Sequence, residues 1–293
     1  LCHSSMKDTM PPIRSFVGPN RSPVRSHRRV ASEPAIPVET YADLQFVVAT
    51  LNYQNPHLNI FYRGQLQDHR REDGASTLMP AAYRSSSRRD ASVYFNKTLP
   101  ERSDRLKEYL RQLEHDRTMG GRSASKDLEV FPESVWAILQ HYECPTPLLD
   151  ITSSLHVAAS FATVDYHAGA ADALTGGYIY LVGLPIITGH ITYMPYDGIV
   201  MVKLEAACPP EAKRPHCQQG YLVGSLPHTP KTSQYRARDV AQRLIGKLHI
   251  VNAKEFWNDQ LRPVAREMMM PTGDPLEKRV RKICAEWPSA FDS

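Results

Sequence analysis

With 293 residues, 42% hydrophobic and 23% charged, the chain is long and apolar enough to bury its own core without disulfide or metal staples. A formal net charge of +4 is too small to argue for nucleic-acid binding by itself, and no apolar run approaches the roughly 18 residues of a membrane span. The five cysteines include no C-x-x-C pair, and Cys208 and Cys217 lack the second ligand pair that a zinc site needs. They read as reduced thiols of a cytoplasmic protein. The opening LCHSSMKDTM has no apolar leader core.

Residues 1–36 mix Pro, Ser and Arg without an apolar period and are expected to form a disordered basic tail. Arg21, Arg25, Arg28 and Arg29 could attract a polyanion weakly, and RRVAS offers a basophilic kinase site at Ser32. The ordered domain is then 37–293. In it, Thr40 with Asp43 has capping-box spacing, and Leu44, Val47, Val48 and Leu51 share a helical face. A strand follows at 58–63, then a long polar loop with an apolar patch at 78–82. Residues 90–117 have helical spacing, broken by TMGGRSAS. PESVWAILQHY (132–142) predicts a helix with Pro132 in its first turn and Trp136, Leu139 and Tyr142 inside. LHVAASFATVDYH predicts another, with small residues suited to close packing on a sheet. GGYIYLVGL, GIVMVKL, QGYLVGSL and LIGKLHIV read as strands. AKEFWNDQLRPVA reads as a helix, and DPLEKRVRKICAEW as a final helix capped by Asp274. Helices first and strands later imply an α+β fold, helices packed on a central, mostly antiparallel sheet.

Three segments set polar groups among apolar ones: Tyr62-Arg63-Gly64-Gln65; Gln140-His141-Tyr142 leading to Asp150-Ile151-Thr152-Ser153-Ser154; and Arg214-Pro215-His216-Cys217-Gln218-Gln219-Gly220-Tyr221. Arg63 carries a planar fork suited to pyrophosphate or carboxylate. Gly64 would let a ligand lie against the backbone. Thr152, Ser153 and Ser154 open a helix, where free N–H groups favour an anion. His141 could bond a ribose or act as acid and base. Gln218 and Gln219 can orient a group but cannot take a proton, so in a transferase the general base is either absent or supplied by Asp150 or His216. Each has a bland alternative: Arg63 in a structural pair with Asp150, His141 satisfied in the core, Asp150 as a cap, one of Gln218 and Gln219 pointing outward along a strand.

FYRGQ, LMPAAYR, QHYECPTPLLDITSSLHVAASFA and RPHCQQGYLV, in this order, resemble the FRG domain family over roughly residues 37–285. Two positions depart from the pattern. A Gly common after QHY is Cys144, shifted by Glu143, and a common Arg after PT is Pro147. A fold-level likeness to ADP-ribosyltransferases adds a split sheet and an order of parts: an Arg that anchors NAD (Arg63), a Ser/Thr strand beside the nicotinamide (150–154), and a later strand with Gln218 or Gln219 where those enzymes have Glu. The resemblance thus implies a toxin or defence effector. In it Arg63, His141, Asp150, Gln218 and Gln219 are the catalytic candidates. Tyr62, Arg63, Gly64, Gln65, Gln140, Thr152, Ser153, Arg214, His216 and Tyr221 would hold NAD, the candidate substrate, for transfer to an unknown acceptor. A non-catalytic ligand-sensing module and a metal-independent nuclease using His141, His216 and Arg63 stay open beside it; no metal and no membrane partner is expected.

Overall fold

The computed structural model describes residues 15–16, 23–24, 27–84, 88–115, 131–168, 174–185, 187–210, 212–226, 238–258 and 261–286. TMGGRSAS and most of the expected tail lie outside them. Two short strands, β1 (Ser15–Phe16) and β2 (Pro23–Val24), pair with each other. The other strands are β3 (Ile36–Val38), β4 (Asn59–Gln65), β5 (Leu148–Thr152), β6 (Gly177–Leu184), β7 (Ile191–Met194), β8 (Ile199–Lys203), β9 (Gly220–Ser225) and β10 (Leu244–Ile250). They form one 8-stranded sheet in the order β3-β10-β6-β4-β5-β9-β8-β7. Among the described residues only the β3–β10 pair is parallel, so the fold is α+β on a mostly antiparallel sheet.

The helices follow the sequence signals closely in places. Helix α1 (Tyr41–Gln54) starts at a complete capping box: Asp43 N–H donates to Thr40 Oγ1 at 3.1 Å and Thr40 N–H to Asp43 Oδ2 at 3.2 Å. The run 90–117 becomes α2 (Arg88–Val93), a π-turn at 94–98 and α3 (Leu99–His115). Helix α4 is Pro132–His141 and α5 is Leu155–Thr163. Trp136 is only partly buried, while Val135, Ala137, Ile138 and Leu139 are fully covered. A single inner face was the wrong expectation, because α4 is enclosed on nearly every side. Two single turns, α6 (Leu204–Ala207) and α7 (Lys213–Cys217), lie between β8 and β9. The helix expected over 253–265 is one turn, α8 (Ala253–Phe256). Trp257 leaves it to stack on Tyr41, 5.7 Å between centroids, and to donate its indole N–H to Thr163 Oγ1 at 2.9 Å. After α9 (Arg266–Met269), helix α10 (Pro275–Glu286) opens as expected on Asp274, whose carboxylate accepts from Leu276 and Glu277 N–H. No helix among the described residues is long and apolar enough to cross a membrane.

The period of two along the strands sorts their side chains onto two faces. One face is continuous across the sheet. Phe61, Leu149, Ile151, Tyr180, Val182, Met201, Val223 and Leu244 form one cluster there, covered by Val30, Leu78 and Val240 from irregular segments. The other face is divided. Ile60, Tyr62, Ile179, Leu181 and Leu248 pack under α1 and α5, whereas Leu148, Val200, Val202 and Leu222 pack under α3, α4 and α10. The division falls between β4 and β5, which share a single registered pair, Tyr62↔Thr152. Pairing is longer on both flanks, seven residue pairs from Asn59↔Leu184 to Gln65↔Tyr178 and five from Leu148↔Gly224 to Thr152↔Gly220.

Gly64 does not open the backbone to a ligand. A Cβ there would sit 1.8 Å from the carbonyl oxygen of Ala158, and one on Gly177 would sit 1.9 Å from that of Ala162. The two glycines let α5, with its Ala158, Ala159 and Ala162, rest directly on strand backbone. Gly64→Ala must therefore push the helix off the sheet, at a cost of about 3 kcal/mol or more in urea unfolding; a loss under ~0.5 kcal/mol would mean that the helix yields freely.

The packed domain begins before residue 37. Residues 27–32 form a 3-10 turn, Val30 is 2% exposed, and the Ala31 carbonyl accepts from Ser76 N–H at 2.8 Å and lies 3.4 Å from Lys247 Nζ. Deleting residues 1–36 removes that packing and the first residue of edge strand β3, Ile36, which pairs with Leu248. The melting temperature should fall by on the order of 5–10 °C; an unchanged melt would place these contacts outside the cooperative unit.

Candidate functional site

Where β4 and β5 part, a cleft of about 500 Å³ opens between α4 and α5. Its floor is the end of β4 and the middle of β5, its walls are Gln140, His141 and Glu143 on one side and Val157, Phe161 and Val164 on the other, and Arg214 and Gln218 close it.

Arg63 spans the parting. Its Nη1 donates to the main-chain carbonyl of Asp150 at 2.6 Å, an acceptor that a regular neighbouring strand would have satisfied. The Gln65 amide, turned with its oxygen toward the guanidinium, accepts from Nε at 3.0 Å and from Nη2 at 3.3 Å. One N–H on Nη1 and one on Nη2 then remain without a protein partner among the described residues. Burial lowers the Arg63 pKa and the Asp150 charge opposes that shift; a guanidinium stays cationic regardless.

Asp150 is held from the α4 side. Gln140 Nε2 donates to its Oδ2 at 3.1 Å, and His141 Nδ1 lies 3.5 Å from its Oδ1. The same Gln140 accepts through Oε1 from the N–H and hydroxyl of Thr146, at 3.1 and 3.0 Å. Gln140 thus clamps the turn into β5 and aims the carboxylate. The Asp150 side chain is 36% exposed. Burial raises its pKa, but His141, Arg63 and Gln140 together outweigh that and hold it below the ordinary carboxylate value. His141 is 4% exposed and lines the cleft, with its Nε2 unpartnered among the described residues. Burial lowers its pKa despite Asp150. A neutral imidazole with Nδ1 toward a carboxylate and a lone pair at Nε2 is a proton acceptor in waiting.

The structure brings Tyr62, Arg63, Gly64, Gln65, Gln140, His141, Asp150, Thr152, Arg214 and Gln218 to this one cleft. Several are spent on the chain itself. Thr152 Oγ1 donates to the Gln218 carbonyl at 2.9 Å and accepts from Ser154 N–H at 3.0 Å. Ser154 caps α5 through Val157 N–H, so the chain's own hydroxyl occupies part of the anion site expected at that helix start. Gln218 donates to the Met269 carbonyl at 2.7 Å. Gln218 and Gln219 precede β9 rather than alternate along it, since the strand begins at Gly220, and Gln219 turns away with φ 46. Ser153, Gln219, His216 and Tyr221 do not line the cleft; Tyr221 packs edge-on against Phe61, 4.9 Å between centroids, on the continuous face.

Sequence reasoning missed Glu143. It lies in the cleft wall with φ 71, a left-handed conformation that an L side chain adopts at a cost. The special backbone position after QHY is thus Glu143 and not Cys144. The signal was present in the departure from Gly at this point of the chain. Phe161 in α5 and Asp165, Tyr166 and His167 just after it were also missed; they reach the cleft only through the placement of α5 on the sheet.

The lowered His141 pKa fixes the sign of a pH effect. The folded protein keeps this imidazole neutral, so its contribution is complete above the unfolded value of 6.5 and is lost as pH falls below it. The depressed Asp150 carboxyl contributes fully above 3.8 and loses its share only below that. His249, shifted down by burial as well, acts in the same window as His141. The difference between wild type and His141→Asn in unfolding free energy should therefore shift progressively as pH falls below 6.5; parallel pH curves would place His141 in an unshifted state.

A family model, the FRG domain, matches residues 58–170, from the strand that carries Arg63 to just beyond α5. The match leaves Arg214 and Gln218 outside and is shorter than the stretch over which the sequence shows its resemblance. No curated protein and no solved structure matches the chain. The strand with Arg63, the QHY helix, the strand with Asp150 and the helix behind it all fall inside the matched region: the chain carries an FRG domain.

Proposed function

We propose that the cleft is a nucleotide-binding site, with NAD as the first candidate ligand. The observation that supports this best is the convergence of Arg63 with His141 and Asp150, from two segments distant in the chain, on one cleft at the split of the sheet. Arg63 offers two unused N–H groups to a phosphate. Val157, Phe161 and Val164 offer an apolar wall for a ring. The neutral His141, backed by Asp150, is the group able to move a proton. On this reading the protein is an ADP-ribosyltransferase-like effector of toxin or defence type, with His141 and not a glutamine as the proton-handling residue.

One observation favours a second reading, a cleft that senses a nucleotide without turning it over. Thr152 and Gln218, which the transferase likeness would have act on the ligand, already hold main-chain carbonyls. The nuclease reading loses a member, because His216 does not line the cleft.

Calorimetric titration with NAD, read beside nicotinamide release, separates the readings. Saturable binding with release, abolished in His141→Asn, supports the transferase; binding without release supports the sensor. Arg63→Lys should weaken binding by about tenfold or more, because a point charge cannot bridge Asp150 and Gln65 and also meet a phosphate. Absence of binding of NAD, ADP-ribose and AMP alike would remove the nucleotide reading.

A further inference from the structure

We propose that the cleft contains a second anion subsite, centred on Arg214, and that Glu143 is its resident and displaceable counter-ion. This rests on the reading of the cleft as a ligand site. Arg214 is 7% exposed, lines the cleft, and leaves its Nε buried without a hydrogen-bond partner among the described residues. Its Nη1 meets the Glu143 carboxylate at 3.3 Å. Two more basic side chains surround the same carboxylate, His167 Nδ1 at 3.6 Å and Arg281 Nη2 at 3.9 Å, the latter shared with Glu277 at 2.8 Å. The other carboxylate nearby, Asp274, is already engaged: its Oδ2 accepts from Tyr142 Oη at 2.8 Å and from the Arg214 N–H at 3.3 Å. That shared anchor fixes Arg214 beside Tyr142, the residue just before Glu143.

The arrangement is asymmetric. Arg214 is buried and its backbone is pinned, whereas Glu143 is 45% exposed and rides on a left-handed turn. A cation held in the wall and a half-exposed carboxylate in front of it make a site in which an incoming anion can take the place of the internal one. His141 Nε2, also buried and unpartnered in the same cleft, supplies a further polar group. The ligand chemistry is a phosphoryl group, which matches the guanidinium fork and can accept from several donors at once. Arg63 and Arg214 would then hold two ends of one ligand, and Glu143 would set how tightly the second end is held.

The probe is inorganic pyrophosphate, titrated by calorimetry at low salt into the full chain. Glu143→Gln frees Arg214 and should tighten pyrophosphate binding by about tenfold. Glu143→Gly should do the same and also raise the melting temperature, because glycine takes φ 71 without strain. Arg214→Lys should lose the gain when combined with Glu143→Gln. Equal affinities in wild type and Glu143→Gln overturn the proposal, as does failure of both to bind at millimolar pyrophosphate. Should Arg214→Lys fold poorly, the two Glu143 variants decide alone. The NAD reading is judged separately: pyrophosphate binding with this pattern and no NAD binding keeps the subsite and changes the nucleotide.

Discussion

The structure turns on the parting of β4 from β5. A sheet that divides leaves main-chain donors and acceptors without their ladder partners, and buried ones must be satisfied. Here the Arg63 guanidinium reaches across and takes the Asp150 carbonyl, while Thr152 Oγ1 and Ser153 N–H tie the far end of β5 to the carbonyls of Gln218 and Gln219. Side chains thus replace part of the ladder. The gap that results is lined with polar groups whose geometry is fixed by strands, which is what a recognition site requires.

Around that gap, each half of the divided face has its own apolar support. The α5 half depends on direct helix-to-strand contact at Gly64 and Gly177, and the α4 half on a helix buried almost all round. The turn between α4 and β5 is fixed further by a buried cation. Arg102, fully buried, donates to Cys144 Sγ at 3.1 Å and lies over the Tyr94 ring, while the Tyr94 hydroxyl donates to the Pro145 carbonyl. A second buried charge network supports the loop after β4. Lys247 Nζ lies 2.7 Å from Ser76 Oγ and 3.7 Å from Asp68, whose Oδ1 accepts from Tyr180 Oη at 2.8 Å. That network anchors the loop after β4, from which Gln67 and His69 reach the cleft. Buried charges of this kind add little net stability but are costly to disturb, so they hold the walls in one arrangement.

Backbone strain concentrates at the same place. Among the described residues, Glu143 and Gln219 are the non-glycine residues with positive φ. Glu143 is in the cleft wall, and Gln219 gives up its carbonyl to Thr152 and Ser153 at the cleft's edge. Strain of about 1 kcal/mol or more per such residue persists only where surrounding contacts enforce it.

The sequence by itself determined much of the local structure. The capping box at Thr40, the strand before Arg63, the QHY helix and the Asp274 cap were all legible, because each depends on residues a few positions apart. So was the α+β class, from the order of helical and strand periods, and the FRG resemblance, from the order of its motifs. Other features are tertiary. What approaches Gly64 is a helix and not a ligand, a matter of how α5 lands on the sheet. Whether Arg63 meets a carboxylate or a carbonyl of Asp150 depends on where two strands diverge. Gln218 and Thr152 look free in the sequence and are spent in the fold, since main-chain acceptors that need partners leave no trace in side-chain pattern. Glu143 gains its place from a backbone angle and from Arg214, 71 residues away in the chain, and only the packing of α10 and α7 against the QHY turn brings the two together.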